Sequence, residues 1–134
     1  MVVRTLNQTK APIQDDPLTL RIIGCAIEVH KSLGPGLLEK LYKEAMTIEL
    51  ELGGLKVEKN VKIPVEYKGM SIGDYFIDLL VEDTVILELK SIERHDPIFE
   101  AQILSYMKLT NKKIGLLINF NSKMVKDGIK RFVL

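Results

Sequence analysis

Apolar residues fall on odd-numbered positions through the middle of the chain: Leu55, Val57, Val61, Ile63, Val65 and Tyr67, with Lys56, Glu58, Lys62 and Glu66 between them. A period of two predicts a half-exposed strand, bent near Lys59-Asn60. Before it the period is helical. Ile22, Ala26, Val29 and Leu33, with Ile23 and Ile27 beside them, predict a first helix, opened by Asp16 as N-cap and Pro17 in the first turn. The glycines and proline of "SLGPG" end it. A second helix is predicted from Leu37 to Leu52, with Leu38, Leu41, Ala45, Ile48 and Leu52 on one face and Gly53-Gly54 as its stop.

After the turn at Lys68-Gly69, the stretch "DLLVEDTVILELK" reads as two strands apolar on both faces, which places them at the centre of a sheet. Asp96-Pro97 repeats the helix-start signal. The helix it opens carries Ile98, Ala101 and Ser105 on one stripe, with Phe99, Ile103 and Met107 nearby. "KIGLLINF" is a buried strand, and a short amphipathic helix from Met124 to Lys130 precedes the closing "FVL". The order ααβββαβ with a last small helix is an α/β pattern. Residues 1–15 read as a flexible N-terminal tail and residues 16–134 as a single domain.

Composition narrows the class. At 134 residues and 46% hydrophobic content the chain can bury one core. No apolar run approaches the roughly 20 residues of a membrane span, and "MVVRTLNQTKAPIQDDP" lacks the apolar block of a secretory signal. A cytoplasmic protein without membrane contact is the expectation. The lone Cys25 lies in an apolar helical pattern and reads as a small buried hydrophobe. Charge is uneven: from Lys108 to the end, seven Lys and Arg face Asp127 alone. Such an end suits a polyanion or, more simply, solvated lysines.

Asp78, Glu88 and Lys90 interrupt the best strands. If Glu82-Asp83-Thr84 is a three-residue hairpin loop, Val81 faces Val85 and Asp78 lies opposite Glu88. Asp78, Leu80, Ile86, Glu88 and Lys90 then share one face, while Ile77, Leu79, Val81, Val85, Leu87 and Leu89 make the other wholly apolar. Carboxylates about 5 Å apart repel by about 3 kcal/mol at an intermediate dielectric. Lys90 offsets part of this; a hard divalent cation with oxygen ligands, including the Leu89 carbonyl, would balance the rest. The alternative is a structural ion pair, Glu88–Lys90 or Asp78–Lys90.

These residues resemble the core of the PD-(D/E)XK nuclease superfamily, in which a hairpin carries an acidic residue and then ExK. "GPGLLEKLY", with Gly36, Glu39 and Tyr42, resembles the signature of its GxxExxY branch, and "VHKSLGPGLLE", "DLLVED", "ILELKSIE" and "GLLINF" are similar to that branch too. The resemblance implies a three-layer, restriction-endonuclease-like core with a mixed four- to five-stranded sheet flanked by helices. It implies that Asp78 and Glu88 hold Mg²⁺ or Mn²⁺, and that Lys90 orients or deprotonates the attacking water. Glu39 matches the helix glutamate of the family. Gln102 and Tyr106 resemble its QxxxY feature and would contact the scissile strand. The chain departs from the family in "DYFI" before Asp78, where an arginine is frequent, which puts the contact of that arginine in doubt.

From the residues alone, Glu39 also suits the N-terminal macrodipole of its helix, and Gln102 and Tyr106 suit a helix–sheet margin. Tyr42 reads as a packing residue whose hydroxyl finds a local partner such as Glu39. Gly34 and Gly36 read as turn glycines. His30 follows Ile23 and Ile27 at helical spacing and reads as a core or boundary histidine; the resemblance adds metal ligation as a minor reading, because some members of the superfamily use a helix histidine as a ligand. His95 reads as surface. The expected function is therefore a Mg²⁺-dependent nuclease acting on nucleic acid, DNA before RNA. The alternative is a non-catalytic nuclease-fold module that binds nucleic acid or a protein. A homodimer would suit a small nuclease that must reach both strands.

Overall fold

A computed structural model describes the backbone of residues 2–5 and the whole of residues 16–134. In chain order the elements are β1 (Val2–Thr5), α1 (Pro17–Leu33), α2 (Glu39–Leu52), β2 (Val57–Tyr67), β3 (Met70–Val81), β4 (Val85–Lys90), α3 (Pro97–Thr110), β5 (Ile114–Asn119), a 3-10 turn (Val125–Gly128) and β6 (Ile129–Val133). One mixed sheet has the order β1-β6-β5-β4-β3-β2. Only β4 and β5 pair in parallel, and α3 is the crossover that such a pair requires.

Strands β2 to β6 form the expected mixed sheet. Val2–Thr5, inside the segment read as a tail, add a sixth strand by pairing with β6. Valines and threonine are favoured in strands, which suits this edge position. The remaining residues of 1–15 lie outside the described residues.

Each sheet face buries its own cluster. Ile22, Ala26 and Val29 of α1 and Tyr42, Met46 and Leu50 of α2 meet Leu79, Leu87, Leu89, Leu116 and Phe120 on one side. Ile103, Tyr106 and Met107 of α3 meet Ile63, Ile77, Leu80, Ile86 and Leu117 on the other. The result is a three-layer α/β/α stack. Gly115 lets α3 approach β5, because a Cβ there would stand 2.8 Å from the Met107 sulfur. No helix among the described residues is long and apolar enough to cross a membrane.

Both helix starts form as the sequence implies. The Asp16 carboxylate accepts hydrogen bonds from the Thr19 amide and hydroxyl and from Arg131, 3.0 Å away. Burial alone would raise its pKa, but these partners outweigh it and hold the group below its ordinary value. Asp96 likewise accepts from the Ile98 amide. The hairpin loop is Glu82-Asp83-Thr84, with Leu79, Leu80 and Val81 opposite Leu87, Ile86 and Val85.

Other expectations are corrected. On α2 the stripe Leu38, Leu41, Ile48 and Leu52 is exposed, and the helix buries Tyr42, Met46, Thr47 and Leu50 instead. Two apolar stripes compete there; the aromatic one wins because the Tyr42 ring stacks on Phe120, 4.4 Å between centroids. On α3, Ile98, Ala101 and Ser105 face outward, while Ile103, Tyr106 and Met107 face the sheet. The segment from Met124 to Lys130 is a 3-10 turn running into β6, not an amphipathic α-helix. Arg131 hides that strand in the sequence: it sits buried, and its charge is met by Asp16.

Ile77 also moves. It was expected beside Leu79 on the apolar face, but it belongs to the cluster under α3. Its neighbours on β2 do the same, since Val57 packs toward α1 and α2 while Val61 and Ile63 pack toward α3. The hairpin changes faces between these pairs, at Asn60 and Asp78. Asn60 has a positive φ of 53°, and the ladder skips this pair while keeping its register on both sides.

Candidate active site

The change of faces positions the acidic residue. β3 and β4 stay paired only as far as Leu79 and Leu87. Beyond that, side chains replace the ladder. The Asp78 amide donates to Glu88 Oε2 at 2.8 Å, and the Leu89 amide donates to Asp78 Oδ2 at 2.9 Å. Each carboxylate therefore satisfies the backbone of the opposite strand, and the two cross-lock at the point where the strands part. This leaves Asp78 Oδ1 and Glu88 Oε1 with no backbone donor among these bonds.

Glu88 is 7% exposed. Burial first, and the Asp78 charge second, push its carboxyl up to about 8. The Asp78 amide and the charges of Lys90 and Lys43 oppose that rise without cancelling it. An acid this hard to ionise, beside a second carboxylate, is a site short of positive charge. Oxygen donors, a buried position and carboxylate oxygens left over by the backbone amides fit a hard divalent cation. The donor set is small: among the described residues no group of three or more His, Cys, Asp or Glu is gathered.

Lys90 does not supply the missing charge by contact. Its ammonium lies over the Phe99 ring, 4.3 Å from the centroid, and no ion pair joins it to Asp78 or Glu88. The structural ion pairs considered from the sequence thus do not form. Lys43 of α2 stands there instead, 3.5 Å from Asp78 Oδ1 and 2.7 Å from the Asn60 side-chain oxygen. Sequence reasoning missed it. Its signal is the spacing from Glu39, four residues earlier on the same helix face.

Glu39 opens α2, exposed and in its first turn, so it lies on the side of the helix that reaches Asp78 through Lys43. The loop before it is tied to the end of β4, because the Ser91 hydroxyl donates to the Leu37 carbonyl at 2.6 Å. Tyr42 holds the same loop. Its hydroxyl donates to the Gly34 carbonyl at 2.5 Å and accepts from the Leu37 amide, so its partner is the turn and not Glu39. Gly34 and Gly36 adopt φ of 69° and 95°, as turn glycines do.

Tyr106 is brought to the acid pair. Burial first, then the charge of Glu88, Tyr75 and Asp78, push its hydroxyl up to about 12. Tyr75 of the hairpin packs against it, 5.4 Å between ring centroids. Gln102, one turn earlier on α3, is half-buried. On the other flank, Lys90 lines a cavity of roughly 230 Å³ with Asn119, Lys130 and His95. Asn119 braces its wall through both atoms of its amide, bonded to the Ile92 amide and carbonyl. His95 is exposed, as its reading as surface implies, and bonds Glu100 at 2.6 Å, which also pairs with Lys130. His30 is absent from the acid pair and packs near Phe120.

The family model of the PD-(D/E)XK nuclease superfamily matches residues 16–132. No curated protein matches the chain.

Proposed function

The chain belongs to the PD-(D/E)XK nuclease superfamily, and from that premise we propose that it is a divalent-metal-dependent nuclease whose active site is built on Asp78, Glu88 and Lys90. One observation carries this reading: two carboxylates locked by opposing backbone amides, one of them buried and held up to about 8 for want of positive charge. Asp78, Glu88 and the Leu89 carbonyl are the groups that would hold Mg²⁺ or Mn²⁺. When bound, such an ion polarises a phosphoryl oxygen and makes a water molecule acidic enough to attack near neutral pH.

The protein's own residues do the rest. The amides of Asp78 and Leu89 fix the two carboxylates before any ligand arrives, so little reorganisation remains. Lys43 pairs with Asp78 and offsets part of its charge. Lys90, released from Phe99, orients the attacking water and steadies the charge gathering on phosphorus. Glu39 receives the proton of that water or orients it. Tyr106 stays protonated at any ordinary pH and donates to a phosphate oxygen, with Gln102 beside it along the strand. The exposed Tyr75 and Phe76 on the hairpin offer faces for bases.

DNA is the preferred substrate in this reading, and the likeness of Gly36, Glu39 and Tyr42 to the GxxExxY signature supports assigning the chain to that branch. One observation favours a second reading, a nucleic-acid-binding module without catalysis: Lys90 rests on Phe99 and not on the acids. Labelled single- and double-stranded DNA and RNA, incubated with wild type and Glu88→Gln, separate the two. Cleavage that requires a divalent ion and falls at least about a thousandfold in the variant supports the nuclease. Cleavage retained by the variant contradicts this site.

A further inference from the structure

A second cavity, of roughly 500 Å³, opens at the C-terminal end of α1. It shares no lining residue with the acid pair or with Lys90. Ile27, Pro35, Met124 and Val125 give it apolar walls, and Lys31, Lys123 and Lys126 bring positive charge. Among the described residues no acidic one lines it. None of the three ammonium groups has an ion-pair partner among the described residues.

His30 lines the same cavity. It is 9% exposed, and its Nε2 is buried with no hydrogen-bond partner among the described residues. Leaving such a group unpaired is costly to the fold. The ring is not free to seek a partner elsewhere. It leans on Phe120, which stacks on Tyr42, whose hydroxyl is fixed to the Gly34–Leu37 turn.

The lysines call for an anion, yet the space and the apolar walls exceed what inorganic phosphate would fill. A nucleotide meets both demands, with its phosphate among the lysines and its base against the aliphatic wall. We propose that this cavity binds a nucleoside 5′-monophosphate unit, either a free nucleotide or the 5′-phosphorylated end of a strand, with the His30 ring in its wall. The proposal does not depend on catalysis at Asp78 and Glu88.

Titrating the full chain, in EDTA, with deoxyadenosine 5′-monophosphate, with deoxyadenosine and with one oligonucleotide carrying a 5′-phosphate or a 5′-hydroxyl tests it, read by the imidazole ¹⁵N resonances of His30. The His30 signal is expected to shift saturably with the phosphorylated probes and not with deoxyadenosine. Lys123→Gln/Lys126→Gln, on exposed positions that leave the core intact, should weaken binding about tenfold or more. Asp78→Ala should leave it unchanged. Tighter binding of the phosphorylated oligonucleotide than of the mononucleotide identifies a strand end as the ligand, and the reverse identifies a free nucleotide. No His30 shift with either phosphorylated probe at about 1 mM, or an affinity unaltered by the lysine variant, overturns the proposal.

Discussion

Strand β4 carries two faces separated by a single residue step, and they answer to different demands. Toward α1 and α2, Val85, Leu87 and Leu89 are all but inaccessible and pack among aliphatic and aromatic side chains. Toward α3, Ile86 is followed by Glu88 and Lys90. Both faces are covered by helices, so depth does not distinguish them. What differs is the neighbour. The first face meets only apolar groups, whereas the second ends where β3 peels away at Asp78 and leaves two amides to be satisfied by carboxylates. One face adds stability through burial, and the other retains charge at a cost in stability.

Removing atoms from the apolar face should have the largest effect. Leu87→Ala is expected to lower the unfolding free energy by about 3 kcal/mol in urea melts, through lost burial and a residual cavity. A loss under about 1 kcal/mol would mean that the face is not packed as described.

Neutralising the charged face should act in the opposite direction and depend on pH. The Glu88 pKa is raised on folding, from an ordinary 4.5 to about 8, so its stabilising protonated form is complete below the lower value and lost as pH rises through the upper one. Without divalent ions the wild type should therefore lose on the order of 2–3 kcal/mol more than Glu88→Gln between about pH 4 and about pH 9. Urea melts of both proteins at the two pH values measure it. Parallel pH profiles would remove the buried-charge account.

Smaller effects bound the comparison. Gly115→Ala pushes a methyl toward Met107 and Ile103 beneath α3 and should cost about 1–2 kcal/mol in the same melts, because those side chains can shift in part. Ile48→Ser, on the outward stripe of α2, should change stability by no more than about 0.5 kcal/mol. A larger loss there would mean that this stripe is covered in solution.

These faces were unequally visible in the sequence. Local chemistry was readable: Asp-Pro twice marked a helix start, and a three-residue loop set the register that brings Asp78 toward Glu88. The bend at Asn60 was legible, but alternation failed opposite it at Asp78, because a period of two assumes an unbroken pleat and so put Ile77 on the wrong side. The face of α2 was ambiguous because its apolar residues form two stripes, and only the Phe120 ring from a distant strand chooses between them. Lys43 reaches Asp78 across 35 residues, marked in the sequence by no more than its spacing from Glu39, and Lys90 turns to Phe99 with no local signal. Strands β1 and β6 were masked by short length and by a buried Arg131.

The central claim is that the cross-locked acids are a metal site. Calorimetric titration of Mn²⁺ into the wild type and into Asp78→Ala/Glu88→Ala tests it most directly. The account predicts saturable binding to the wild type, stronger above the Glu88 pKa of about 8 than below it, and none at this site in the double variant. Binding of equal strength in both proteins would contradict it.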